Sequence, residues 1–253
     1  MAASIREMAD EASFIFEGTL RRTGAVTSSA LQPAADMAVV HIGRILKGPP
    51  ALASFSGHEV TVQLRQPGPA EHGRNFTFST TGLHFGDGRA VREVGRIDTS
   101  GPEVEKEVHE AEHERQNELL LSRLRDAEIV VAGEAIRTAA YQAPDATHQQ
   151  GSEHDPDWWE CVVGVRDVLK GEIRPARRGR AAAAEVVALF AHSTDIVWYQ
   201  SPKFTEGVEG IWLLHRTDFR GNPVPAPATI HPLDFHPLSE LDRIRALLER
   251  LQR

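Results

Sequence analysis

CVVGVRDVLKGEI (residues 161–173) decides the fold because it occurs twice. Its counterpart is MAVVHIGRILKGPP (37–50), and each is a β-branched run closing on Leu-Lys-Gly, with Lys170-Gly171 matching Lys47-Gly48. Upstream stand ADEASFIFEGTLRR (9–22) and LRDAEIVVAGEAIRT (124–138), each with an acidic residue before an apolar run that reaches a glycine, Gly18 or Gly133. Downstream, HEVTVQL (58–64) alternates Val60, Val62 and Leu64 with polar residues, and AEVVALF (184–190) answers it. Alternation of period two predicts half-buried strands. Fourth and fifth strands are expected at NFTFS (75–79) and AVREVGRI (90–97) in the first half. In the second half they are expected at DIVWYQ (195–200) and GIWLLHR (210–216).

A helical segment ends each half. The first covers about 102–125, where Val104, Val108, Ala111 and Leu119 fall on one stripe. The second, about 239–252, has Ser239 as its expected N-cap and places Leu241, Ile244, Leu247, Leu248 and Leu251 at helical spacing. The expected architecture is mainly β with helices: tandem five-stranded OB-like barrels over about 9–100 and 126–220, each followed by an α-helix. The domains then span 1–125 and 126–253.

Ala127 to Gly133, Val162 to Gly171 and the closing HPLDFHPLSELDRIRALL (231–248) resemble the OB-fold barrel of netrin-like and tissue-inhibitor-of-metalloproteinase domains, with a fainter copy in the first half. The resemblance implies an OB-like barrel fold. It also implies secretion, disulfides and, in the inhibitors, an N-terminal cysteine. This sequence departs from those features: Met1 stands first, Cys161 is the single cysteine, and no basic segment followed by an apolar run opens the chain. Inhibition is therefore not expected to carry over.

The formal net charge of −8 argues against a nucleic-acid binder, whose affinity rests on cations against phosphates. With one cysteine, no intrachain disulfide is possible. No run approaches 18 apolar residues, so no membrane insertion is expected, and the expected location is cytoplasmic.

HEAEH (109–113) fits H-E-x-x-H, which on a helix places two zinc-binding histidines beside a glutamate base. Under that reading His109 and His113 are the ligands and Glu110 the base, with Glu134 the candidate third ligand. Helical spacing sets the histidines away from the apolar stripe, and the neighbours Glu112, Glu114 and Arg115 are charged. A charged solvated helix explains the motif better, so no cofactor is expected. Cys161 reads as an inert core thiol, and His231 and His236 lack further ligands. His154, Asp155, Asp157, Trp158 and Trp159 in SEHDPDWWEC (152–161) form the candidate contact patch, because Trp concentrates binding energy. The competing reading has one of the tryptophans plugging a barrel mouth. The functional expectation is a non-catalytic binding or scaffold protein with a protein partner. A zinc-dependent hydrolase stands second and a single-stranded nucleic-acid binder third.

Overall fold

A computed structural model describes residues 4–66, 72–84, 90–98, 100–142, 155–173, 184–195, 197–216, 218–219, 222–223 and 226–252. It divides into two compact units, Met1–Gln116 and Asn117–Arg253. The division falls inside a long helix, α2 (Pro102–Asp126), whose first part belongs to one unit and whose remainder belongs to the other.

In the first unit, α1 (Ile5–Glu11) starts on a capping box. The Glu7 N–H donates to Ser4 Oγ at 3.2 Å, and the Ser4 N–H donates to Glu7 Oε2 at 2.8 Å. Five strands follow: β1 (Phe14–Thr23), β2 (Met37–Lys47), β3 (Glu59–Gln63), β4 (Asn75–His84) and β5 (Ala90–Ile97). They close into a barrel in the order β1-β2-β3-β5-β4, and only the β3–β5 pair is parallel. Alternation puts Phe14, Phe16, Leu20, Val40, Ile42, Val60, Val62, Phe76 and Phe78 inside. Ile15 and Leu46 point outward, where Ala9 and Ala12 near α1 and Val104, Val108 and Ala111 of α2 cover them.

The second unit repeats the plan with β6 (Ile129–Ala140), β7 (Trp158–Lys170), β8 (Glu185–Ala191) and β9 (Glu209–Leu214). A short pair, β10 (Asp218–Phe219) and β11 (Asn222–Pro223), precedes β12 (Ala228–Thr229), β13 (Phe235–His236) and α3 (Leu241–Leu251). The sheet runs β12-β8-β7-β6-β9-β13, and β12 lies parallel to β8 as β5 does to β3. It is a half-barrel sheet. A single antiparallel bridge links His215, just past β9, to Ala228 of β12, with N–H···O distances of 3.0 and 2.8 Å. The interior holds Val131, Cys161, Val163, Phe190, Phe204 and Trp212. The other face packs Val130, Ile211 and Leu213 against Leu120 and Leu124 of α2 and Ile244, Leu247 and Leu248 of α3. The mainly β, barrel-based architecture with a closing helix is thus the one the repeat implies.

Three local expectations are corrected. Residues 197–200 of DIVWYQ form a turn in place of a strand: Asp195 Oδ1 accepts from the Val197 and Trp198 N–H groups at 2.8 and 3.2 Å, a local alternative to a ladder. Leu119 is 49% exposed, because the buried face of α2 passes from Val104, Val108 and Ala111 to Leu120 and Leu124. Ser239 is not the N-cap of α3, since a 3-10 turn over Leu238–Glu240 precedes the helix and Glu240 holds the cap position without a side-chain bond.

The shared landmarks have physical causes. Lys170 Nζ donates to the Leu124, Arg125 and Ala127 carbonyls at 2.8, 2.8 and 2.6 Å, closing the C-terminal end of α2. Lys47 Nζ donates to the Ala9 carbonyl in the last turn of α1 at 2.6 Å. The last carbonyls of a helix lack intrahelical donors and carry partial negative charge, so an ammonium suits both places. The glycine after Lys170 is required, because Gly171 has φ of +82° and a Cβ there would meet the Glu128 carbonyl. Gly18 and Gly133 each sit at a register shift between the first two strands of their unit. A Cβ on Gly133 would run into the Gly164 carbonyl, whereas a Cβ on Gly164 would find its nearest neighbour at 3.6 Å.

All four tryptophans lie in the second unit, so their fluorescence follows that unit's unfolding. Gly133→Ala should lower its stability in urea by about 1–3 kcal/mol, the usual cost of forcing atoms into a packed site. Gly164→Ala should change it by less than about 0.5 kcal/mol.

Candidate functional site

The histidines of HEAEH reach solvent, as the apolar stripe requires: His109, Glu110 and His113 are exposed. His109 and His113 line a groove of about 760 Å³ with Asp10, Glu11, Ser13 and Lys47. Glu112 turns into this groove, where its Oε1 lies 2.6 Å from Lys47 Nζ as a charge pair without hydrogen-bond alignment. Glu110 is not among the groove residues and stands 3.8 Å from Lys106 one turn earlier. Glu134 pairs with Arg166 at 2.9 Å. Among the described residues, no group of three or more His, Cys, Asp or Glu is arranged to hold a metal ion.

The patch at the start of β7 is assembled from two segments. His154 lies outside the described residues. Trp158 and Trp159 alternate across the strand, and their surroundings differ. Trp159 packs on the interior cluster beside Phe190, its centroid 6.4 Å away, which is the plug reading. Its indole N–H donates to Asp157 Oδ2 at 3.2 Å, and the His192 ring stacks on it at 4.4 Å with 18° between the planes. Asp157 also fastens the loop after β8: its carbonyl accepts from the His192 N–H at 2.8 Å, and its N–H donates to Ser193 Oγ at 2.6 Å. Trp158, on the other side, meets Trp198 with ring centroids 6.1 Å apart and planes tilted by 56°. Val197 and Tyr199 in the same turn are 55% and 59% exposed. Asp155 is half-buried nearby in sequence. The sequence pattern missed Trp198 and Tyr199 because 195–200 reads as alternating strand, and it missed His192 just past the preceding strand run. The signal was Ser-Thr-Asp at 193–195, which is turn chemistry.

A third cluster is buried in the second unit. Asp234 is fully buried and accepts both Arg123 Nε and Nη2 at 2.8 Å, as well as the Ile230 and His231 N–H groups at 2.9 and 2.8 Å. His215 Nε2 stands 3.1 Å from Asp234 Oδ1, at ion-pair distance but out of line for a hydrogen bond. Burial alone would raise the Asp234 carboxyl; His215, the His231 N–H and Arg123 outweigh it and hold the group below its ordinary value. Burial, aided by Arg123, pushes the neighbouring His231 down. His231 and His236 face different partners. His231 Nδ1 accepts from the Leu233 N–H at 3.1 Å, while His236 contacts Glu240 Oε2 at 3.2 Å and the Leu233 carbonyl at 2.9 Å. This network fixes the approach to α3. Burial pushes the Cys161 thiol up to about 12, which suits a core group and not a nucleophile.

No protein-family model matches the sequence, and no curated protein matches it either.

Asp234→Ala should cost the second unit about 2–4 kcal/mol, because it leaves the part-buried Arg123 guanidinium and two N–H groups without their acceptor. Depressed folded-state pKa values mean that the native state binds fewer protons, so stability is present at neutral pH and lost on acidification. Urea unfolding followed by tryptophan fluorescence should show a decline starting below about pH 6.5 through His231, and a further one below about pH 4 through Asp234.

Proposed function

We propose that this chain is a non-catalytic binding protein whose second unit offers the rim formed by Trp158, Trp198, Tyr199 and Val197 to a protein partner. The observation that carries this reading is the Trp158–Trp198 pair beside two large apolar side chains more than half exposed. Aromatic groups fixed on a rigid scaffold have little side-chain freedom to lose, which makes them favourable anchors. The turn is held rigid from within: Asp195 caps it, and Lys203 Nζ donates to the Trp198 and Ser201 carbonyls at 2.8 and 3.2 Å.

The proposal takes only the barrel fold from the netrin-like resemblance, and the parallel pairing of the closing strand with the third in each unit is consistent with that fold. Nucleic acid is disfavoured as partner by the charge of −8. No helix among the described residues is long and apolar enough to cross a membrane. A cytoplasmic location belongs to the same proposal, supported by a single, buried cysteine.

The test is cross-linked capture from native lysate with three baits. A partner taken by the wild type should also be taken by the His109→Ala/Glu110→Ala/His113→Ala variant and lost with Val197→Ser/Tyr199→Ala. Both variants should unfold within about 0.5 kcal/mol of the wild type, since the altered side chains are exposed. Retention by the Val197→Ser/Tyr199→Ala bait would contradict the proposal.

A further inference from the structure

We infer that His109 and His113 chelate one exchangeable divalent cation of the Zn²⁺ or Cu²⁺ class at the groove of the first unit. The inference goes beyond the reading of the rim and does not depend on it, because the groove residues belong to the first unit and the rim to the second.

Geometry carries the inference. The two histidines stand four residues apart on α2, and side chains at that spacing share a helix face with Cβ atoms about 5–6 Å apart. Two imidazole nitrogens can close on one ion from there. Both side chains are exposed and line the groove, and neither ring has a hydrogen-bond or charge partner among the described residues. A neutral imidazole keeps one nitrogen lone pair, so two such donors are open to the groove.

The charges of the groove point the same way. Its two cationic side chains both turn to one carboxylate: Lys47 Nζ lies 2.6 Å and Arg115 Nη1 3.6 Å from Glu112 Oε1. Asp10 and Glu11 line the groove from the end of α1 and have no counter-ion among the described residues. Three carboxylates thus face two cations, which favours a cation over an anion. Imidazole suits Zn²⁺, Cu²⁺ and Ni²⁺, whereas Mg²⁺ and Ca²⁺ take oxygen ligands. No third protein ligand is arranged beside the pair among the described residues, so water completes the coordination and the ion exchanges. Glu110 is not among the groove residues and stands 3.8 Å from Lys106, so the site binds without a base to activate that water.

The experiment is calorimetric titration of the metal-stripped full chain with Zn²⁺ in a non-coordinating buffer. His109→Ala and His113→Ala should each weaken the binding of one ion by about a hundredfold, since neither imidazole then holds the ion for the other. Both positions are exposed and alanine is the better helix former, so far-UV circular dichroism should match the wild type. Glu110→Gln, and His58→Ala at an exposed histidine outside the groove, should bind within about twofold of the wild type. Mg²⁺ should give no binding heat. The wild type loaded with Cu²⁺ should show electron paramagnetic resonance coupling to two imidazole nitrogens, a readout that needs no variant. A wild type that takes up no Zn²⁺, single-histidine variants that keep its affinity, equal uptake of Mg²⁺, or Cu²⁺ coordinated by oxygen alone would each overturn the inference.

Discussion

A lysine ammonium placed on the end of a helix is the contact around which each unit is arranged. In the second unit, Lys170 at the end of β7 reaches back to three carbonyls at the end of α2. In the first, Lys47 at the end of β2 reaches the last turn of α1. The helix preceding the first strand is thereby tied to the end of the second strand, and the hairpin between them is set relative to the helix. Burial opposes the charge, pushing Lys170 down from its ordinary value while Asp126 pulls it back up. The carbonyls offset that cost, because each would otherwise end a helix without a donor. With the hairpin fixed, the third strand pairs with the second, and the closing strand can pair in parallel with the third. In the second unit that closing strand is only Ala228–Thr229, and the sheet remains a half-barrel joined by one bridge at His215.

Much of this was legible in the sequence because it repeats. Leu-Lys-Gly and the two glycines Gly18 and Gly133 mark positions where geometry leaves little choice, so they survive in both halves. The leading helix was not legible. α1 is seven residues long, and α2 serves the first unit as a trailing helix and the second as a leading one. A pattern that changes face midway, from Val108 and Ala111 to Leu120 and Leu124, does not sum to one amphipathic stripe, and so Leu119 was misplaced. The turn at 197–200 was misread for a different reason. Its alternation is that of a strand, but a single Asp195 side chain satisfies two backbone N–H groups and ends the matter locally.

The candidate site was half legible. Trp158, Trp159 and Asp157 announce themselves in the sequence; their partners Trp198, Tyr199 and His192 come from a segment about 33–41 residues on, brought alongside by the pairing of β7 with β8. The two tryptophans face different neighbours. Trp159 packs on the interior, and half-buried Trp158 meets half-buried Trp198. Within HEAEH, His109, Glu110 and His113 lie on the exposed side of the helix, Ala111 is buried in the cluster with Val104 and Val108, and Glu112 contacts the repeat lysine Lys47. The chemistry-bearing pattern and the structural one thus share a segment, and the structural role explains the charge at position 112.

The most direct test of the account is Lys170→Met, which keeps the aliphatic stem and removes the ammonium. Tryptophan fluorescence in urea should report a loss of about 2–3 kcal/mol in the second unit, the scale of charged hydrogen bonds to groups left without partners. Amide exchange at Ala127 and Glu128 should accelerate in step, since those N–H groups bond to the Arg123 and Leu214 carbonyls at the helix–strand junction. A variant as stable as the wild type, with unchanged exchange at that junction, would contradict the lysine as the contact that fixes hairpin to helix.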